Sequence, residues 1–392
     1  MPTGDPPRNP PRGPTREPLV RLAAVWCRAD LPGRSLVASC LARVGNDAFW
    51  SGASPVDLRD RWGRHTLRLD PREYFQRWAW LLGRYHEGPL LDLLGRALRP
   101  GDTFIDIGAN FGMVSLHAST LVGPAGRVLA FEPNPVVYER LAWHIDHNRA
   151  TNITPSRIAL ARRPGTATLR LASDNPGAGS LADLPWARDR GERFECVVDR
   201  ADARLAHLPD APMLIKIDVE GFEREVLAGL TRTIKQRNPA IICEINRPCL
   251  KAAGARPRDL WRMLARHGYK AFLFESPRRV LGGRRLRLTP FERPVGQLFD
   301  LLFLRPDSKF AERLQPFSDE KLTGPTTGPT TGPTIVRRGG ATPAAPKPTQ
   351  TAVSPTREAS PPPPGNNPDL PSPEATIEPK PPTTATPTHP AA

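Results

Sequence analysis

Long apolar runs are missing from this 392-residue sequence. No stretch reaches the ~18 apolar residues that a membrane-spanning helix needs. The N-terminus opens with proline, glycine and arginine and contains no apolar segment of the kind found in secretory signals. These absences argue against a membrane-spanning protein, and we expect a cytoplasmic location.

Cysteine is also scarce. The five cysteines form no Cys-x-x-Cys pair, and their number is odd. This spacing argues against a disulfide framework and a structural zinc site, so we predict no metal ligands and a reducing compartment. The five are Cys27, Cys40, Cys196, Cys243 and Cys249.

Aromatic residues are missing from Ser318 to the last residue, and proline is concentrated at both ends of the sequence. Of 48 prolines, 7 lie in residues 1–18 and 19 in residues 318–392. Segments of this composition cannot bury enough apolar surface to offset the entropy of ordering. We therefore predict that residues 1–18 are disordered and that residues 318–392 form a disordered Pro/Thr-rich tail.

About 300 residues remain, which is the length of one large domain with an addition. We predict an N-terminal elaboration at 19–100, partly helical, and an α/β ligand-binding domain at 101–304. Residues 305–317 are interpreted as a connecting segment.

Negative charge is in short supply, because the net charge is +15. The tail is neutral and residues 1–18 carry +1, so +14 belongs to residues 19–317. A basic surface attracts nucleic acid or other anions. Only 8 of the 55 basic residues are lysine, however, which indicates an arginine-rich composition along the whole chain rather than a dedicated binding surface.

From Gly101 onward, short apolar runs alternate with helical periods. Such alternation predicts a doubly wound α/β fold, a parallel sheet covered by helices on both faces. We count seven strands, and a final hairpin with a turn at Gly282-Gly283 makes one of them antiparallel. The strands are predicted near 103–107, 127–131, 153–159, 213–217, 240–244, 269–274 and 298–304.

The first strand is followed by a glycine loop. In open parallel sheets, ligands bind beyond the carboxyl ends of the strands. The loop reads Asp-Ile-Gly-Ala-Asn-Phe-Gly over residues 106–112, and Glu132 follows the second strand. A carboxylate at Glu132 can accept hydrogen bonds from both hydroxyls of a ribose.

The spacing of the glycines separates two classes of adenosine cofactor. Dinucleotide sites use Gly-x-Gly-x-x-Gly, whose amides approach a pyrophosphate. Here the spacing is Gly-x-x-x-Gly after an acid, which suits the ammonium group of S-adenosyl-L-methionine and repels a pyrophosphate. The predicted cofactor-binding residues are Asp106, Gly108, Ala109, Asn110, Gly112 and Glu132.

Three charged residues alternate after the fourth strand: Lys216, Asp218 and Glu220. Charges on one face of a buried strand are costly unless they are paired or functional, and a salt-bridged strand end is the alternative interpretation. Glu244, at the end of the fifth strand, adds an acid at the same edge.

These motifs resemble the FkbM family of class I methyltransferases over about 200 residues. The Lys-Ile-Asp-Val-Glu-Gly run at 216–221 is the most specific part of the resemblance. It implies a Rossmann-like fold, S-adenosyl-L-methionine as cofactor, and methylation of oxygen on a small-molecule or glycan hydroxyl.

The acceptor hydroxyl must lose its proton or be polarised by a metal. We predict Asp218 as a positioning acid or metal ligand and Glu220 and Glu244 as candidate bases. Lys216 would hold one carboxylate ionised or help to bind the cofactor. A divalent metal remains an open alternative here.

Two other functions stay open at this stage. The first is a nucleic-acid methyltransferase acting on RNA, which would suit the positive charge, but this sequence lacks the Asn/Asp-Pro-Pro-aromatic motif common in base methylation. The second is a non-enzymatic binding module, which would not need the intact cofactor motifs.

Residues 278–287 hold five arginines and could contact an anionic acceptor. The helical histidines His117, His144 and His147 are expected on the surface. No oligomeric state is predicted.

Overall fold

The computed structural model describes residues 17–29, 31–43, 47–172, 175–181, 192–277, 285–292 and 296–324. The predicted arginine hairpin therefore lies largely outside the described residues, with its Gly282-Gly283 turn, as do residues 325–392 of the predicted tail. Among the described residues, no helix is long and apolar enough to span a bilayer. All five cysteines are free thiols.

The described residues of the N-terminal elaboration form five helices and one small hairpin. Its helices are α1 (Pro18–Arg28), α2 (Arg34–Ala42), α3 (Asp47–Trp50), α4 (Tyr74–Leu82) and α5 (Gly88–Ala97). The strands β1 (Val56–Arg59) and β2 (Thr66–Leu69) pair antiparallel. Gly83, in the left-handed conformation at φ 63°, ends α4 and opens a loop before α5.

The strands of the central sheet follow the apolar runs. They are β3 (Thr103–Ile107), β4 (Arg127–Phe131), β5 (Ile153–Ser156), β10 (Met213–Ile217), β11 (Ala240–Asn246), β12 (Lys270–Glu275), β13 (Arg287–Pro290) and β14 (Leu298–Leu304). Their order in the sheet is β13-β12-β14-β11-β10-β3-β4-β5.

The predicted fold class is confirmed. In the central sheet, the consecutive neighbours β5, β4, β3, β10 and β11 are parallel. Strand β14 pairs antiparallel with both β11 and β12. The additional strand β13 extends the sheet at the β12 edge, so the sheet has eight strands where seven were expected.

A second sheet of four strands follows β5. It contains β6 (Ala159–Ala161), β7 (Gly165–Ala172), β8 (Asn175–Ser180) and β9 (Arg193–Arg200) in the order β6-β9-β7-β8. The third strand expected from the sequence is therefore divided between the two sheets, at Arg157 and Ile158.

The remaining helices connect and cover the strands. They are α6 (Met113–Val122), α7 (Pro135–His147), α8 (Ala201–Leu205), α9 (Glu223–Gly229), α10 (Thr231–Arg237), α11 (Arg247–Ala252), α12 (Pro257–Ala265) and α13 (Lys309–Leu314), followed by a 3-10 turn at Gln315–Phe317. The side chain of Asn134 accepts a hydrogen bond from the Val136 amide at 3.1 Å, so it caps α7 as its position before a proline predicts.

Alternate residues of β3 define the two faces of the sheet. Phe104 belongs to the hydrophobic core shared with the N-terminal helices and α6, whereas Ile105 and Ile107 belong to the core under α9, α10 and α12. Residues 305–317, interpreted above as a connecting segment, include α13, whose Phe310 and Leu314 are buried in the first of these cores.

Candidate active site

A cleft opens at the carboxyl ends of β3, β4, β10 and β11. This is the edge at which an open parallel sheet binds its ligands. Its lining combines apolar side chains, among them Phe131, Pro133, Ile158 and Leu160, with several carboxyl groups.

Gly108 lies where the ends of β3 and β10 meet. Its φ is +81°, and a Cβ at this position would lie 1.8 Å from the backbone oxygen of Asp218. The Asp218 amide donates to the oxygen of Ile107 at 3.0 Å. Only glycine permits this close contact, so the cofactor loop and the Lys-Ile-Asp motif are held against each other.

Glu132 fixes the other side of the glycine loop. Its carboxylate accepts hydrogen bonds from the amides of Asn110 and Asn134, each at 2.9 Å. Each carboxylate oxygen has a second lone pair, which remains for hydroxyl donors in the cleft. Burial raises the pKa of Glu132 to about 7, because the charged form is poorly solvated there.

Lys216 is buried among acceptors. Its Nζ lies 2.9 Å from Asp218 Oδ2, 3.7 Å from Asp106 Oδ1 and 3.4 Å from the oxygen of Gly108. Burial alone would lower the pKa of this amine, but the carboxylates of Asp218 and Asp106 raise it above its ordinary value. Lys216 therefore stays charged and holds Asp218 in place.

Asp106 lies behind the glycine loop, not in the cleft. Its side chain is fully buried, and Oδ2 accepts a hydrogen bond from Ser115 Oγ at 2.6 Å. Within the described residues, Oδ1 has no hydrogen-bond partner and faces Lys216 at 3.7 Å. Burial raises the pKa of Asp106. The direct contact to a cofactor ammonium that its sequence position suggested is not provided by this geometry.

Ala109 and Gly112 likewise do not line the cleft. The Ala109 amide donates to the oxygen of Phe131 at 3.0 Å, which ties the loop to β4. A Cβ on Gly112, at φ +88°, would lie 2.5 Å from Leu141 Cδ1. Both residues shape the loop, while Gly108, Asn110 and Glu132 face the cleft.

Glu220 and Glu244 both line the cleft. Glu220 Oε2 accepts from Asn246 Nδ2 at 2.9 Å and faces the thiol of Cys249 at 3.5 Å. Glu244 Oε2 is buried and has no hydrogen-bond partner among the described residues. Burial and the neighbouring Asp218 raise the pKa of both acids, that of Glu244 well above its ordinary value.

The sequence analysis missed the cleft residues contributed by the N-terminal elaboration, as well as apolar lining residues from the second sheet such as Leu169 and Leu181. Phe75 lies on α4, and Tyr85 and Glu87 lie in the loop between α4 and α5. The available indications were Gly83 and the Gly88-Pro89 pair, which bracket a polar tetrapeptide and so mark a helix break. Asp300 on β14, opposite Glu244 in the strand register, is a further acid missed in this region.

The cleft is acidic where the protein as a whole is basic. Five carboxyl residues line it, and none of the described lining residues is lysine or arginine. They are Glu87, Glu132, Asp218, Glu220 and Glu244. The described lining therefore offers no cationic side chain to an anionic group. Of the arginine hairpin, only residues 285–287 are described, and none of them lines the cleft.

The expectation of surface histidines is wrong for His144. Its side chain is completely buried, with Nδ1 2.7 Å from the oxygen of Phe111 and Nε2 accepting from the Arg68 amide at 2.8 Å. These partners require a neutral ring with the proton on Nδ1. His117 is half-buried against Trp62. The hairpin of β1 and β2, whose position the sequence did not indicate, covers the face of α7 that carries His144.

No group of histidine, cysteine and carboxylate side chains within the described ranges has the arrangement of a metal site.

Comparison with known proteins identifies the family. The model of the methyltransferase FkbM domain matches residues 106–271, from the start of the glycine loop to β12. The 31-O-demethyl-FK506 methyltransferase FkbM of Streptomyces tacrolimicus is 34% identical over 181 residues, which are 39% of this chain and 68% of that protein. The chain belongs to the FkbM family of methyltransferases.

Other relatives are more distant. The hexuronic acid methyltransferase AglP of Haloferax volcanii is 27% identical over 179 residues, covering 46% of this chain and 68% of that protein. The crystal structure of methyltransferase FkbM from Methylobacillus flagellatus KT aligns with a TM-score of 0.30 and 16% identity, over 73% of this chain and 59% of that one. At such a score, the fold assignment depends on the strand order described above.

This FkbM-family protein is thus an S-adenosyl-L-methionine-dependent methyltransferase. The cleft fits that cofactor. Its apolar lining suits an adenine ring, Glu132 keeps lone pairs for the ribose hydroxyls, and Asp218 offers an anionic partner for an ammonium group.

Proposed function

We propose that this methyltransferase transfers a methyl group to a hydroxyl oxygen of a small-molecule or glycan acceptor. The observation that carries the proposal is the group of carboxyl side chains in the cleft lining, next to the buried Lys216–Asp218 pair. Methylation of a neutral hydroxyl requires a proton acceptor close to the oxygen. The names of two relatives, a 31-O-demethyl-FK506 methyltransferase and a hexuronic acid methyltransferase, support it.

The residues of the cleft divide the work. When bound, the cofactor supplies an electrophilic methyl group. Glu132 would hold the ribose, and Gly108 and Asn110 would shape the loop beneath it. Lys216 would orient Asp218, since its Nζ donates to Asp218 Oδ2 at 2.9 Å. Glu220, in the turn after β10, and Glu244, on β11, are candidates for receiving the acceptor's proton.

A nucleic-acid acceptor is less well supported. The net charge of +15 favours polyanion binding in general. However, five carboxyl residues and no described lysine or arginine line the cleft, so the described lining offers a phosphate no cationic partner. The cytoplasmic location stays a prediction from cysteine usage.

Methyl transfer can be tested before the acceptor is identified. The protein is incubated with tritiated S-adenosylmethionine and a fractionated cell extract, and the labelled product is identified by mass spectrometry. We expect the labelled methyl group to be bound to oxygen, as a methyl ether of a hydroxylated small molecule or sugar. Label in RNA that ribonuclease digests, or on nitrogen or carbon, would contradict the proposal.

A further inference from the structure

The loop between α4 and α5 is held firmly over the cleft. At its start, Gly83 accepts a hydrogen bond from the Arg61 amide at 2.7 Å, and at its end the Gly88 amide donates to the oxygen of His86 at 2.9 Å. Two ring contacts fill the space between, Phe75–His86 at 5.4 Å and Tyr85–His86 at 4.6 Å between centroids. The loop and the first turn of α4 therefore form a wall of the cleft, whose lining side chains are Phe75, Tyr85 and Glu87.

This wall lies outside the part of the chain that matches the family model. The match begins at Asp106, whereas Phe75, Tyr85 and Glu87 come earlier in the chain. The cleft therefore combines a floor from residues that match the family model and a wall from the N-terminal elaboration, which precedes the matched residues.

Three of the five cleft carboxylates already have short contacts within the protein. Glu132 accepts two amide hydrogen bonds, Asp218 pairs with Lys216 at 2.9 Å, and Glu220 accepts from Asn246 at 2.9 Å. These bonds fix the orientation of the three carboxylates and commit oxygen lone pairs to partners within the protein. They suit binding and orientation better than proton abstraction.

Glu87 differs from these three. In the described part of the chain, its carboxylate has only long contacts, to the Tyr85 hydroxyl and to His86 Nε2, both at 3.5 Å. Its side chain is 26% exposed and lines the cleft. Its oxygens are thus available to a ligand, from the side of the cleft opposite the strand ends.

We propose that Glu87 is the residue that takes the proton from the acceptor hydroxyl. This inference rests on the proposed O-methylation. The O–H bond of the acceptor breaks and its proton passes to the Glu87 carboxylate. The oxygen electron pair forms the O–CH₃ bond while the carbon–sulfur bond breaks, and that pair stays on sulfur. Glu87 then releases the proton to water.

The electrostatics of the cleft suit this role. Burial and the acids Asp300 on β14 and Asp218 after β10 raise the pKa of Glu87 to about 8, against a smaller opposing effect of Lys216. A base with a pKa near the working pH is the most effective. Burial and the neighbouring Asp218 raise the pKa of Glu244 well above its ordinary value. Its Oε2 is enclosed by protein atoms and has no hydrogen-bond partner among the described residues, so this oxygen is not open to an acceptor.

The test compares single substitutions in the full-length protein. Glu87→Gln, Glu220→Gln and Glu244→Gln are assayed with tritiated S-adenosylmethionine and the extract fraction that the wild type labels, between about pH 6 and 9. Glu139→Gln, exposed on α7, is the control. We expect kcat/KM of the wild type to rise with pH, and Glu87→Gln to lose that rise and about 10²–10⁴ in rate. Calorimetry should show unchanged S-adenosylhomocysteine affinity.

The outcomes separate the two proposals. If Glu87→Gln keeps the rising limb, or if Glu220→Gln or Glu244→Gln loses it instead, Glu87 is not the proton acceptor. If the wild type labels no hydroxyl in any fraction, the proposed function fails. Carbon-13 NMR of glutamate carboxyls, assigned by the variants, provides a readout without acceptor. A Glu87 pKa at its ordinary value would by itself overturn the assignment.

Discussion

Replacing Gly108 by alanine tests the contact that joins the two ligand-binding motifs. The new Cβ would lie 1.8 Å from the oxygen and 2.9 Å from the carbonyl carbon of Asp218. Both are backbone atoms, so no side-chain rotation can relieve the overlap. The ends of β3 and β10 must separate, or the backbone at 108 must leave its φ of +81°.

The cost has two parts. An alanine in the left-handed region costs about 1–2 kcal/mol. Forcing packed segments apart costs typically about 1–3 kcal/mol more. We expect the Gly108→Ala protein to lose about 2–5 kcal/mol of unfolding free energy, out of the 5–15 kcal/mol typical of domains. S-adenosylhomocysteine affinity should fall too, because the glycine loop that contains Gly108 also carries the Asn110 amide, which donates to Glu132.

Urea unfolding and calorimetric titration provide the two measurements. Gly101→Ala is the matched control, because Gly101 also has a positive φ, +90°, but nothing lies within 4 Å of a Cβ there. The control should lose only the about 1–2 kcal/mol of the backbone term. Equal losses in the two variants would show that the Asp218 contact is not tight and would refute the reasoning.

Three further predictions follow from described contacts. Glu132→Ala should weaken S-adenosylmethionine binding by about 1.5–3 kcal/mol in calorimetry; unchanged affinity in a folded protein would remove the ribose assignment. Truncation after Gly324 should leave Tm unchanged, whereas truncation before Leu322, which is 2% exposed, should lower stability by about 1.5–3 kcal/mol; equal Tm values would contradict this. Burial lowers the pKa of His144 to about 4 from 6.5, so the stability from its neutral form is complete above about pH 6.5 and falls as the pH drops to about 4. Compared with His144→Asn, the wild type should lose about 3 kcal/mol more over that range in urea titrations; parallel curves would disprove it.

The central strands were predictable because buried parallel strands are nearly continuous apolar runs. Met213–Ile217 and Leu298–Leu304 form strands with the same ends as those expected. The glycine loop and the Lys-Ile-Asp run were recognisable for a related reason, since each requires particular residues at fixed spacing. Local chemistry was therefore sufficient for the floor of the cleft.

Properties that depend on distant partners were not predictable. Asp106 precedes the glycine loop as a ligand-binding acid would, but Ser115 and Lys216 hold it behind the loop. His144 occupies a helix position that looks exposed until the distant β2 strand, through Arg68, covers it. Nothing within ten residues of either side chain in the sequence reports both of its partners.

Glu87 was missed for another reason. The chain before residue 100 has no long periodic segment, so its elements and breaks were hard to assign. The loop also acquires its surroundings only when residues more than a hundred positions later fold against it, as Asp218 does. A charged residue in a polar tetrapeptide carries no indication of such an environment.

The two-part construction of the cleft has a consequence for the order of folding. Phe75, Tyr85 and Glu87 precede the first core strand, yet acids of the same cleft follow β10 or lie on β11. Contacts of such long sequence separation close late, after the loop-closure entropy has been overcome. During synthesis, the wall leaves the ribosome well before its counterpart exists. Until β10 and β11 join the sheet, the half-buried aromatic rings of the wall remain open to water and to passing chaperones.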